Sequence, residues 1–200
     1  MLRHIFSVIT LIVLFNVLQW SNCELDLRKF LYDSSRIWTW YSTQNRTLLC
    51  LNDMVLTITK KTVWLKRSYY GRGRWRSRRL EWSFLKTPNM TTDSYTCMLH
   101  KDFAQRFLVM ECIRYQNDRR ECAVMKFIVL PLKGEIPRSS VHYSPSAKLK
   151  PKEASEWHEL QTRRPDDPMT EDNDCLQAFN NLSERALVSR DYYPGCKYKN

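Results

Sequence analysis

Glycine occurs only four times in 200 residues, so most turns of this chain must be built on Asn, Asp and Pro rather than on left-handed glycine backbone. Gly-rich phosphate-cradling loops are missing, as are the Gly-x-Ser-x-Gly and His-Glu-x-x-His patterns of hydrolases and metalloproteases. Ser, His and Asp side chains are present but nothing in their order organises them, so no enzyme activity is expected. Metal-ligand spacing is absent too: His4, His100, His142 and His158 are scattered, and the cysteines form no Cys-x-x-Cys. Neither a metal nor a cofactor is expected. Beyond the first two dozen residues no apolar run is long enough to span a bilayer.

What is present begins with a leader. Arg3 and His4 precede an almost uninterrupted apolar run, Ile5 to Leu18, and Ser21 and Cys23 stand at small-residue exit positions. That order reads as a secretory signal peptide, residues 1–23, ahead of a single domain over 24–200. Cleavage removes Cys23 and leaves Cys50, Cys97, Cys112, Cys122, Cys175 and Cys196. Six cysteines in an oxidising compartment read as three disulfides. Three sequons, at Asn45, Asn89 and Asn181, then become surface glycosylation sites. The expectation is a secreted, extracellular, soluble monomer.

The formal net charge is +11, and seven of the fifteen residues from Lys66 to Leu80, KRSYYGRGRWRSRRL, are Lys or Arg. Cations interleaved with Tyr69, Tyr70 and Trp75 are a footprint of nucleic-acid binding. An exported chain meets no chromosome or messenger, however, and outside the cell such charge favours glycosaminoglycans, anionic membranes or acidic partners. As secondary structure the run ends one strand, turns at Gly71 and Gly73 and starts the next. It reads as the solvated rim of a hairpin, with a polyanion grip or a charged gate beside a cavity as alternatives.

Leu27, Phe30 and Leu31 recur at helical spacing within 24–34, predicting a short amphipathic helix. Period-two patterns follow in MVLTIT, TVWLKRSYY, LEWSF, SYTCMLH, RFLVMECIRY and ECAVMKFIVL, predicting an antiparallel meander. Residues 131–156 are rich in Pro, Ser and Lys and read as a long exposed loop. Helical period returns at 175–182, where Cys175, Leu176, Phe179 and Leu182 share a face opposite Asn181. Thr170 or Asp172 would cap that helix. A hairpin turning at Asn117 would bring Cys112 and Cys122 together. Three pairings remain for the other four cysteines, of which Cys50–Cys175 and Cys97–Cys196 are favoured.

The order of these features resembles the tick salivary lipocalins, the histamine-binding-protein-like family. The residues that carry the resemblance are IWTWYSTQNRT (37–47), LLCLND (48–53), SYTCML (94–99), ECAVMKFIVLP (121–131), EWHELQ (156–161) and DCLQAFNNL…YYPGCK (174–197). The resemblance implies an eight-stranded antiparallel up-and-down barrel with a short N-terminal helix and a C-terminal helix packed outside. It also implies a non-enzymatic carrier that holds a small host mediator in its barrel. A biogenic amine such as histamine or serotonin is favoured over a lipid such as a leukotriene. Heparan sulfate, gripped through 66–80, is the alternative partner. The sequence departs from the family's patterns in several places, among them Gln161 after Glu159-Leu160, where the amine-binding pattern has Trp or Tyr, and a loop between Cys122 and Glu159 longer than that pattern allows. Arg36 replaces the Gly of the Gly-x-Trp signature, and Cys122-Ala123-Val124 lacks the Asp of the amine-binding pattern, whose closing Cys175 is kept.

An ammonium ligand needs a carboxylate in place of its water, with aromatic faces around it. Glu111 shares a strand face with Phe107, Val109, Ile113 and Tyr115, an odd setting for a solvent-facing acid. The resemblance singles out Glu159 as the matching acid, whereas Glu81 alternates against Leu80, Trp82 and Phe84 and reads as outward. Trp38, Trp40, Trp64, Trp82 and Phe84 are the candidate cavity walls, Trp82 foremost.

Overall fold

The computed structural model describes residues 25–32, 36–86, 94–102, 106–131, 155–166, 169–183 and 188–198. The leader, the sequon at Asn89 and nearly all of the loop expected over 131–156 lie outside them. A short helix, α1 (Leu27–Tyr32), is followed by β1 (Arg36–Ser42), β2 (Leu49–Ile58), β3 (Thr62–Gly71), β4 (Arg74–Lys86), β5 (Tyr95–Asp102), β6 (Phe107–Gln116), β7 (Cys122–Pro131) and β8 (Ser155–Thr162). The C-terminal part adds α2 (Asp174–Leu182), a two-residue strand β9 (Ser189–Arg190) and a 3-10 turn, Pro194–Tyr198. Each strand from β2 to β7 pairs antiparallel with the next, and β1 closes the ring between β8 and β2. The result is a closed eight-stranded barrel, with β9 as an extra rung beside β1. No helix among the described residues is long and apolar enough to cross a membrane.

Two cores follow from the two faces of the wall. Inward residues Ile37, Val63, Leu65, Leu80, Trp82, Phe84, Met98, Ile113, Met125 and Phe127 fill the barrel. Helix α1 plugs one end of it with Leu27, Phe30 and Leu31, and the buried Asp26 caps that helix by accepting from the Lys29 amide at 3.1 Å. On the outside, Trp38, Trp40, Val124 and Leu160 pack against Cys175 and Phe179 of α2 and Tyr192 of the tail. Asn173 caps α2, accepting from the Cys175 and Leu176 amides at 3.0 and 3.1 Å, in place of the Thr170 or Asp172 expected. Its Oδ1 lies one residue before the first helical turn, the reach that this cap geometry needs. Asn181 faces solvent, as the helical wheel predicts, and Asn45 is exposed as well.

All six cysteines are bridged, but in none of the expected pairs. The bonds are Cys50–Cys196, Cys97–Cys112 and Cys122–Cys175. The error lies in the β6–β7 register. The turn spans residues 117–121, fastened by Asn117 Oδ1 accepting from the Glu121 and Cys122 amides, and a bulge lies between Ile113 and Tyr115. Cys112 therefore stands opposite Lys126, and its neighbour on the other side is Cys97, 4.0 Å away between Cα atoms. Cys122 is left facing outward to α2, and the tail cysteine falls to Cys50.

The bridges close very different loops, 146 residues for Cys50–Cys196 and 15 for Cys97–Cys112. Chain entropy predicts that replacing both partners by Ala costs about 5 kcal/mol for the long loop and about 3 kcal/mol for the short one. Urea unfolding of the two double variants tests that order, and non-reducing peptide mapping tests the pairing.

Candidate functional site

The barrel interior is apolar near α1 and becomes charged halfway up. Continuing the alternation of β3, Val63 and Leu65 are followed inward by Arg67. Opposite it on β2 stands Asp53, and the pair is bidentate: Nε donates to Oδ1 at 2.8 Å and Nη2 to Oδ2 at 2.6 Å. The guanidinium carbon lies 5.8 Å from the ring centroids of both Trp82 and Phe127. Burial by itself would depress the Arg67 pKa, but Asp53 and then Glu111 outweigh it and hold the group firmly charged.

Two further acids share this layer, and their surroundings differ. Glu159 of β8 is saturated. Its Oε1 accepts from Arg46 Nη1 at 2.6 Å and Trp157 Nε1 at 2.9 Å, and its Oε2 from Thr39 Oγ1 at 3.2 Å and Gln161 Nε2 at 3.3 Å. Burial works against its ionisation, yet Arg46 and Arg67 prevail and keep its pKa below the ordinary value. Arg46 also holds Asp191 of the tail, with Nε to Oδ2 at 2.9 Å, so the loop after β1 is tied to both the interior and the C-terminus.

Glu111 of β6 is the exception. Its cross-strand neighbours are Met98 and Phe127, and only 2 % of the residue is exposed. Oε1 accepts from Gln161 Nε2 at 3.3 Å, but Oε2 is buried with no hydrogen-bond donor, Arg67 Nη2 standing off at 3.7 Å. Burial, opposed by Arg67 and reinforced by Asp53 and Glu159, lifts its pKa to about 8. At neutral pH it is mostly a neutral acid beside Phe127, whose ring stacks on Trp157 with centroids 5.0 Å apart.

Of the candidates read from the sequence, Glu111, Glu159, Trp82 and Phe84 face the interior, though Phe84 packs on Tyr95 in the core near α1, below the charged layer. Phe107 is half-buried at the start of β6, two alternations from Glu111. Trp38 and Trp40 are corrected to the outer core. Tyr192 packs on both of their rings there, edge-on to Trp38 and stacked on Trp40, so they wall no cavity. Trp64 points outward between inward Val63 and Leu65 and is 40 % exposed. Glu81 is exposed, as expected, and the β6 bulge turns Tyr115 to the outer core, away from the face it was expected to share with Glu111.

Asp53, Arg67, Gln161, Thr39, Arg46 and Trp157 were missed. Strand parity carried a signal for Asp53, which alternates with Leu51 and Val55, and for Arg67, masked by the basic run around it. Arg46 sits in a loop, where no periodicity points.

The barrel places this chain in the lipocalin fold. The comparison with solved structures supports that at the level of architecture. A protein crystallised as a serotonin complex matches with a TM-score of 0.56 at 10% identity, covering 88% of this chain and 97% of that one. A siderocalin described as having dual ligand specificities matches with a TM-score of 0.51 at 8% identity, covering 80% and 93%. No protein-family model matches the sequence, and a search of curated proteins finds no relative.

The state of Glu111 has a consequence for stability. Its folded pKa of about 8 lies above the ordinary 4.5, so between those values the native state holds a proton that the unfolded chain has released. Stability contributed through this group therefore falls as pH rises from about 5 to 8. The isosteric Glu111→Gln variant, which keeps Gln161 in contact and cannot ionise, should show a flatter decline in melting temperature over that range. An unchanged slope would mean that Glu111 ionises normally.

Proposed function

We propose that this chain is a secreted, non-enzymatic lipocalin of the tick salivary kind that sequesters a small host mediator, a biogenic amine, within its barrel. The observation that carries this reading is the Glu111 Oε2 atom, buried opposite Phe127 and without a donor. The other acids are hydrogen-bonded to a cation, Asp53 to Arg67 and both Glu159 and the tail's Asp191 to Arg46, whereas Arg67 approaches Glu111 only to 3.7 Å, without a hydrogen bond. An incoming ammonium supplies the missing donor, ionises Glu111 and gains cation–π attraction from the neighbouring rings. The fold shared with a protein solved with serotonin agrees with a ligand of that size and class. The departures from the family's amine pattern fit as well, because the acid proposed here is Glu111 and not the saturated Glu159.

Titration calorimetry with serotonin and histamine tests this. Binding should strengthen about tenfold per pH unit as pH approaches 8 from below and then level off, because only ionised Glu111 balances an ammonium. Glu111→Gln should weaken it at least about tenfold at pH 8, the loss of one charge-assisted contact. Preferential binding of a leukotriene, with no heat from either amine, would overturn the amine reading and move the contact to the inward arginines.

A further inference from the structure

The cations of Lys66–Leu80 are sorted by the register of the β3–β4 ribbon. Arg67 and Arg78 stand opposite each other on the inward face, and Arg76 opposes Tyr69 on the same side. Lys66 and Arg79 stand opposite each other on the outward face. Arg72 and Arg74 flank Gly73 at the tip, where Arg72 and Gly73 both have positive φ, 53° and 76°. Asp53 neutralises Arg67 in the interior. Directly opposed like charges destabilise a strand pair, and this ribbon carries two such pairs. Its own fifteen residues hold no acid. Of the nearby acids, Asp102 stands 3.7 Å from Arg78, and Glu81 lies two residues past Arg79 on the outward side. Lys66, Arg74 and Arg79 form no ion pair among the described residues.

We propose that this ribbon is a docking surface for a sulfated polysaccharide chain. Its cations occupy both faces and the tip, and same-face neighbours such as Arg74, Arg76 and Arg78 are spaced about 7 Å apart along the strand. A small anion meets one or two of them, and a flat anionic membrane meets one face. A flexible polyanion wraps the tip and reaches the exposed Arg72, Arg74, Arg78 and Arg79 together, and guanidinium forks take sulfate oxygens two at a time. The tip also lacks an apolar wedge for lipid: Tyr70 and Trp75 are turned edge-on to each other, centroids 6.0 Å apart, and pack into the outer core. Three disulfides place the chain in the oxidising compartments where such polysaccharides occur.

Salt elution from a heparin column tests the proposal with three forms of the full protein. These are the wild type, a Lys66→Ser/Arg74→Ser/Arg79→Ser variant, and a Lys60→Ser/Lys61→Ser/Arg114→Ser variant with the same loss of net charge from exposed positions outside the ribbon. The wild type and the second variant should stay bound beyond about 0.15 M salt and elute together, while the ribbon variant elutes at or below it. Circular dichroism identical to wild type shows that the loss is not unfolding. Wild type eluting at physiological salt, or equal shifts in both variants, overturns the proposal. Capture by phosphatidylserine vesicles without retention on heparin overturns it in favour of a membrane surface.

Discussion

The interior of this barrel is organised by one buried ion pair, Arg67 with Asp53. A guanidinium taken out of water is costly unless a partner meets it with good geometry, and here a bidentate carboxylate and two aromatic faces do so. Once Arg67 is fixed, its neighbours inherit their states. Glu159 is held ionised by Arg46 and Arg67 together, and Gln161 bridges it to Glu111. Glu111 is left with burial as its largest influence, because the nearest cation is already engaged and stands beyond hydrogen-bond distance. The same arginine thus supplies the field that keeps one acid charged and fails to do so for the other.

Outside the wall, a second set of constraints binds the C-terminal segment to the barrel. Cys122–Cys175 fastens α2 to β7, and Cys50–Cys196 fastens the final turn to β2. Between them the Cys50 amide donates to the Asp191 carbonyl at 2.7 Å, and the Asp191 carboxylate meets Arg46. Arg46 in turn reaches Glu159 inside the barrel. The tail is therefore coupled to the interior through one side chain, and the orientation of Glu159 depends on residues at both ends of the chain.

Much of the architecture was legible because it rests on period. The strands, the helix over the tail and the inward direction of Glu111 and Trp82 all follow from alternation that survives in the fold. What period could not supply was register. A five-residue turn and a bulge at Ile113 shift Cys112 from Cys122 to Cys97, and every disulfide pairing changes with it. Trp38 and Trp40 were misread for a related reason: β1 is buried on both sides, by the barrel interior and by the outer helix, so burial could not tell its faces apart. Arg67 was hidden by its company, since six neighbouring cations made it look like surface. Its parity with Val63 and Leu65 was the better signal.

The neutral state of Glu111 also bears on what the barrel can discriminate. A buried carboxylate that was already ionised would need a resident cation, and a ligand would then have to displace that cation. With a pKa of about 8 the group is roughly one-tenth ionised at pH 7, so an ammonium loses only about a tenfold factor in affinity to deprotonate it. An acidic ligand recovers nothing from a protonated acid beyond one hydrogen bond, and it meets Asp53 and Glu159 nearby as like charges. A neutral ligand with an acceptor atom binds the protonated form and loses it as pH rises. The sign of the pH dependence therefore separates ligand classes at this one carboxyl, because the neighbouring carboxylates are already hydrogen-bonded to Arg67 or Arg46.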